Sequence, residues 1–335
     1  MIFYKLDHNR YDRSHYDTIL LCSRRALVSN PYQNTFSYER GWNFFLENKN
    51  TTCSHAKFGV LIQQRIINLI DIELIKALAR FPFTNLFNIT FYMNHSGVLH
   101  PNYQKNSYLT NPNKLKKAGV VARYRYAYMP YPNVERPAES PLRLYSLTPP
   151  VLSYIKPVLA DAHPLPMVSD SLRKLESTAL NQFLIHFQVA YTKNIKQSSY
   201  LLTAKNGVSP FIIDAIIQYR SQNPALHMAG DISLILLSVR EAGSWIPHTV
   251  HRLKQLHTYI SPSKYRLSFY LILAENVNMI VDLYPYLQEY LFSGIPFYFS
   301  IDTTACAYPP FDSIFFCQQS DEDSSVTAVR NIIIL

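Results

Sequence analysis

The stretch Thr110-Asn-Pro-Asn-Lys-Leu-Lys-Lys-Ala-Gly119 gathers three ammonium groups and two side-chain amides within a short span. Ammonium groups neutralise phosphates and asparagine amides pair with base edges, so the chemistry on offer is contact with a polyanion rather than bond making. Lys105, Asn106 and Tyr108 lie just before it, and Arg123, Arg125, Arg136 and Arg143 just after. The charge distribution points the same way. Up to Ala160 the chain has 20 Lys and Arg against 9 Asp and Glu; beyond it, 12 against 14. The whole basic surplus behind the net charge of +9 therefore lies in the first half, the footprint of a surface that meets an anion. The plainer alternative is ordinary solubility charge.

Other chemistries find less support. Cys22, Cys53, Cys306 and Cys317 are too scattered for metal-ligand spacing and imply reduced thiols, not a disulfide framework. His248 and His251 are three apart, with His257 beyond, but a third and fourth ligand at visible spacing is missing, so no metal site is assigned. The 8 glycines are too dispersed for a phosphate loop. The segment Met1–His8 has no apolar core of a signal peptide, and no apolar run approaches the ~20 residues that span a bilayer. A cytoplasmic, nucleoid-associated protein with no membrane contact is expected.

The elements that must position these residues follow from periodicity. From Arg65, the residues Ile67, Ile70, Leu74 and Leu78 keep helical spacing up to Phe81-Pro82. Thr84 is the expected cap of a second helix over 85–94, closed by Gly97. Asn111 at the cap, Pro112 at the first helical position and Gly119 past the end predict a short third helix. Leu115 and Ala118 then face inward, leaving Asn113, Lys114, Lys116 and Lys117 exposed. Val120–Tyr126 and Leu142–Leu147 alternate as the strands of a hairpin, and Thr148 caps a fourth helix starting at Pro149. Three helices, a hairpin and a helix make the order of a winged helix-turn-helix. Its third helix fits a major groove about 12 Å wide, and its wing arginines approach phosphates or a minor groove. Residues 1–60 form an arm of no readable fold, in which Trp42, Phe44 and Phe45 are expected to dock on the next domain. Residues 61–162 form the DNA-binding domain, and His163-Pro-Leu-Pro166 reads as a linker to a third region, 163–335.

That region opens with an amphipathic helix capped by Asp170 and carrying Leu172, Leu175, Ala179, Phe183 and Phe187 on one face. Strands are expected at 199–203, 211–219, 232–239, 267–273 and 296–301, with helices at 246–260 and 276–292. The expectation is a three-layer α/β domain around one sheet, with a further apolar run at 313–317 and a buried terminus, Ile332–Leu335. Arg252 and Lys254 on the first of these helices are candidate backbone or protein contacts.

The α-β-β-β-α-β order resembles the core of restriction-endonuclease-like nucleases. Such a resemblance implies a carboxylate in the second strand and an acidic-x-Lys pair in the third, together holding a divalent metal beside the scissile phosphate. Asp214 falls at the first position. Ser238 and Arg240 stand at the other two, where neither holds a metal nor serves as a base, and Glu241 lies on the wrong side of the strand without a bulge. The implied domain is nuclease-like but inactive, with no cofactor; Asp214, Glu241 and Mg²⁺ would carry the alternative, a metal-dependent endonuclease.

The two halves together resemble the replication-relaxation family of mobile-element proteins. The likeness is carried by Ile67–Arg80, Asn113-Lys-Leu-Lys-Lys-Ala-Gly-Val-Val121, Leu144-Tyr-Ser-Leu-Thr148 and the segments 211–219 and 234–241. It implies a plasmid, phage or transposon setting and a role in replication, transposition or transcription control; the partners to expect are double-stranded DNA, a replication or transposition protein, and a second copy of the chain in a homodimer. A protein-binding adaptor is the further alternative.

Overall fold

The computed structural model describes residues 3–6, 42–47, 52–97, 112–128, 142–155, 157, 170–206, 209–220, 231–259, 267–291, 296–302, 313–319 and 326–330. They form a mixed α+β chain with two sheets and eight helices. It divides into two units, one running from Tyr38 to Val189 and the other joining Met1–Ser37 to Ala190–Leu335.

The first unit begins with strand β2, Trp42–Leu46 (β1, Phe3–Leu6, belongs to the other unit). Helix α1, His55–Gln63, follows, capped by the Ser54 hydroxyl, which accepts from the Lys57 N–H. Arg65 then takes a left-handed φ of 56°, so the next helix cannot start there as its spacing suggests. It starts instead at Leu69, as α2, Leu69–Arg80, on a reciprocal capping box: the Asn68 side chain accepts from Asp71 N–H at 2.9 Å, and Asp71 accepts from Asn68 N–H at 3.0 Å. Helix α3, Leu86–His95, is capped by Asn85 rather than Thr84. Thr84 does something else: its N–H and C=O exchange hydrogen bonds with those of Tyr145 at 3.2 and 2.8 Å, a one-residue strand pairing between the helices.

Helix α4, Asn113–Ala118, starts one residue later than the spacing suggests, with Pro112 at the cap, and ends at Gly119, whose φ of 80° favours glycine. Strands β3, Val121–Tyr128, and β4, Arg143–Leu147, form the expected hairpin; β2 adds antiparallel to β3. The aromatic trio of the arm is thus a third strand, with Trp42 and Phe44 at 5.6 and 4.8 Å from the Tyr126 ring. Thr148 precedes α5, Pro149–Ile155, but its hydroxyl donates to the Gly119 carbonyl at 2.9 Å, tying the end of α4 to the exit of the hairpin. The linker expected at 163–166 lies outside the described residues.

Helix α6, Ser171–Tyr191, is capped by Asp170 and packs along this unit rather than opening the next one. Polar side chains specify its seat. Thr178 donates to the Phe83 carbonyl at 2.7 Å, Asn181 donates to the Pro82 carbonyl, and Ser171 accepts from Phe44 N–H at 3.0 Å. His186 stacks on Phe91 at 4.2 Å, and neither ring nitrogen has a hydrogen-bond partner among the described residues. Burial first, then the charge of His95, pushes its pKa down to about 4. The unfolded chain therefore takes up a proton near pH 6.5 that the folded chain refuses, and stability falls with pH between about 6.5 and 4. His186→Phe should remove this component, worth about 2 kcal/mol at pH 5. The check is a comparison of denaturation midpoints at pH 7.5 and 5: the two proteins should diverge only at the lower pH.

The second unit is built on one eight-stranded sheet, in the order β1-β11-β10-β9-β8-β7-β6-β5. Its strands are β5, Ile195–Asn206; β6, Ser209–Tyr219; β7, Ile232–Ser238; β8, Leu267–Ala274; β9, Phe297–Ile301; β10, Phe315–Gln319; and β11, Val326–Arg330. The central β7, β8 and β9 are parallel; all other neighbours are antiparallel. Helices α7, Trp245–Tyr259, and α8, Val277–Leu291, supply the crossovers that parallel neighbours require. Leu253, Leu256, Ile280, Leu283 and Leu287 of these helices join one core with Ile213, Ile235, Leu237, Ile272 and Phe299 of the strands. Leu234, Leu236, Leu271 and Leu273, on the opposite face by strand alternation, are buried too. That two-sided burial explains the continuous apolar run of β7. The terminus Ile332–Leu335 lies outside the described residues.

Candidate functional site

Seven of the expected binding residues of the first unit meet where α4 joins the hairpin. Leu115 is buried and anchors α4, so Asn113, Lys114 and Lys117 are left exposed and Lys116 half-buried. The strand register sets the arginines. Arg125 lies directly opposite Arg143, and Arg123 is two residues along on the same face, opposite Tyr145. Like charges paired across two strands repel, a local cost borne by a register that also pairs buried Val121 with buried Leu147. Lys116 feels the same crowding: desolvation first, then Arg123, lowers its pKa, with Arg143 and Lys117 adding and only Glu47 opposing.

Two carboxylates enter this surface that the sequence did not mark. Asp71, already in the capping box of α2, takes Lys114 Nζ at 2.5 Å. Glu47, just past β2, pairs with Arg123 Nε and stands 3.6 Å from Arg143 Nε. Arg123 also reaches Asn113 Oδ1 at 3.5 Å, a long contact joining the hairpin to the start of α4. Of the expected binding residues, the structure thus brings together Asn113, Lys114, Lys116, Lys117, Arg123, Arg125 and Arg143. Lys105, Asn106, Tyr108, Asn111 and Arg136 lie outside the described residues.

The second unit has a different polar cluster, at the carboxyl ends of β7, β8 and β9. In open α/β sheets ligands commonly bind at this position. Here it is filled by side chains of the chain itself. Asp214 of β6 accepts from Arg252 Nη2 at 2.5 Å through Oδ1 and from Ser238 N–H at 2.8 Å through Oδ2. Arg240 is fully buried and donates to Asp302 at 2.9 Å and to the Val239 carbonyl at 2.8 Å. Buried Glu275 accepts from Glu241 N–H at 3.0 Å, and Glu241 itself is exposed.

No known protein family, curated protein or solved structure matches this chain. Its function therefore has to be argued from its own geometry.

That geometry bears on metal chemistry directly. A metal-binding carboxylate must offer an oxygen to the ion, and both Asp214 oxygens already accept charged or backbone donors, with the guanidinium of Arg252 in the place of a cation. No group of three or more His, Cys, Asp or Glu stands together among the described residues. Arg252, a candidate surface contact by sequence, is buried in this pair, whereas Lys254 is exposed. Cys53 and Cys317 are buried free thiols, and burial pushes Cys317 up to about 12, far from a nucleophile's range. No helix among the described residues is long and apolar enough to cross a membrane.

Proposed function

We propose that the Tyr38–Val189 unit is a winged helix that binds double-stranded DNA, with α4 in the major groove and the β3–β4 hairpin as the wing. The observation that carries this reading is the shared surface of α4 and the hairpin. Exposed Asn113, Lys114 and Lys117 stand beside the guanidiniums of Arg123, Arg125 and Arg143, which the strand register gathers on one face. The Thr84–Tyr145 pairing supports the fold half of the reading, since a bridge from the segment between α2 and α3 to the hairpin stands where that arrangement has a short strand. The concentration of positive charge in the first half of the chain supports the ligand half. By the resemblance of both halves to replication-relaxation proteins, the DNA would belong to a mobile element and the task would be placing a replication, transposition or transcription event.

The second unit is best read as a support or partner-binding module with a restriction-endonuclease-like strand order and no cutting role. Arg252 occupies Asp214, and Glu241 belongs to no cluster of metal-ligating side chains among the described residues.

The test is selection of duplexes from a random library by the intact chain, read by sequencing across a salt series. Enrichment of a defined site, with log affinity falling linearly in log salt, is expected. Absence of retained DNA at about 50 mM salt would overturn the reading. Divalent-metal cleavage that survives Asp214→Ala would place chemistry elsewhere in the chain.

A further inference from the structure

The proposed DNA face carries three guanidiniums and one acid in their midst. Glu47 lies just past β2, and its backbone N–H donates to the Arg123 carbonyl at 2.9 Å. That bond already continues the pairing of β2 with β3, so the carboxylate is not needed to set the register. Its oxygens are divided instead: Oε2 takes Arg123 Nε, and Oε1 faces Arg143 Nε at 3.6 Å. The acid is the least accessible of the three, with 15% of its side chain exposed against 21% for Arg123 and 36% for Arg143. A largely desolvated carboxylate shared by two more open guanidiniums resembles a phosphate already in place.

We propose that Glu47 is a positioning residue that occupies the wing arginines in the free protein and competes with DNA phosphate for them, holding down affinity for DNA of any sequence. This inference rests on the DNA-binding reading above. Arg143 has the longer and more exposed contact, so it exchanges to phosphate with the least rearrangement. Arg123, held by Glu47 and within reach of Asn113, stays coupled to the first residue of α4. A weak site then leaves Glu47 in place, whereas a duplex that seats α4 fully draws the arginines across. Phosphate contacts carry no sequence information, so restraining them raises the share of binding that base contacts decide. Asp71, on α2, applies the same restraint to Lys114.

The experiment is a salt series of fluorescence-anisotropy titrations of the full chain with a random-sequence duplex, comparing wild type with Glu47→Gln. The amide keeps the shape and the acceptor but removes the charge. Binding about three- to tenfold tighter is expected, with a salt slope steeper by about one. A merely structural role would lower affinity and would not steepen the slope. The gain should vanish when Arg123→Gln and Arg143→Gln are added. Should Glu47→Gln fail to fold, Glu47→Asp withdraws the carboxylate by one methylene while keeping the charge, and a smaller gain in the same direction is expected. Wild type that binds, with either folded variant equal or weaker, overturns the role of Glu47 alone. Wild type that does not bind removes the DNA reading and this inference with it.

Discussion

Replacing Asp214 by alanine is expected to destabilise the large-sheet unit by about 3–5 kcal/mol, among the largest single effects available in this chain. The reason is what the substitution leaves behind. Arg252 is 6% exposed and donates Nη2 to Asp214 and Nη1 to the Ser238 carbonyl, at 3.3 Å. Without the carboxylate, a guanidinium that cannot lose its proton stays buried and loses the charge that Asp214 set against it. The Ser238 N–H loses its acceptor as well. The double variant Asp214→Ala/Arg252→Met should therefore be markedly more stable than Asp214→Ala, because it removes the stranded charge and keeps most of the side-chain volume. Each unit contains one of the two tryptophans: Trp245 opens α7, and Trp42 opens β2. Denaturation followed by Trp245 fluorescence in a Trp42→Phe background reports the affected unit. A double variant no more stable than the single one would mean that Asp214 matters for another reason. The same comparison bears on function, since a carboxylate kept for a guanidinium is a packing element, whereas one kept for a metal should be dispensable to stability.

The sequence was most legible where one physical signal dominated. Strands β6, β7, β8 and β9 and helices α7 and α8 lie where apolar runs and helical spacing place them, because two-sided burial forces that pattern on the chain. Helix starts were less legible, since several residues compete for one cap. Asn85 caps α3 beside Thr84, and the Asn68–Asp71 box starts α2 later than its apolar spacing begins. Helix α1 and strand β2 were missed in a stretch whose short aromatic runs show no clear period. The assignment of α6 illustrates a different limit. Its apolar stripe is plain, but which unit it joins depends on Thr178, Asn181 and Ser171 finding partners far away in the chain. The candidate site divides the same way. Its lysines and arginines were visible as composition, whereas Glu47 and Asp71, which engage three of them, could be found only from strand register and side-chain geometry.

The largest functional effect is expected from replacing Lys114, Lys116 and Lys117 together by alanine. Alanine is the best helix former, Leu115 and Gly119 still anchor and end α4, and none of the three lysines is fully buried, so the fold should survive. On the proposed reading, what is lost is up to three phosphate contacts. The salt slope should fall by about two to three, and affinity by on the order of ten- to a hundredfold near 100 mM salt. The contributions should be unequal. Lys117 is exposed, whereas Lys114 must first leave Asp71, so Lys117→Ala should cost more than Lys114→Ala. Lys114→Ala in an Asp71→Asn background should then approach the cost of Lys117→Ala, since the asparagine removes the competing charge from Lys114. These differences separate a helix that lies against DNA from a basic surface that merely raises the local field, for which the three lysines would be interchangeable. Unchanged affinity and slope in the triple variant would take α4 out of the interface and leave the three arginines of the hairpin to account for any binding that remained.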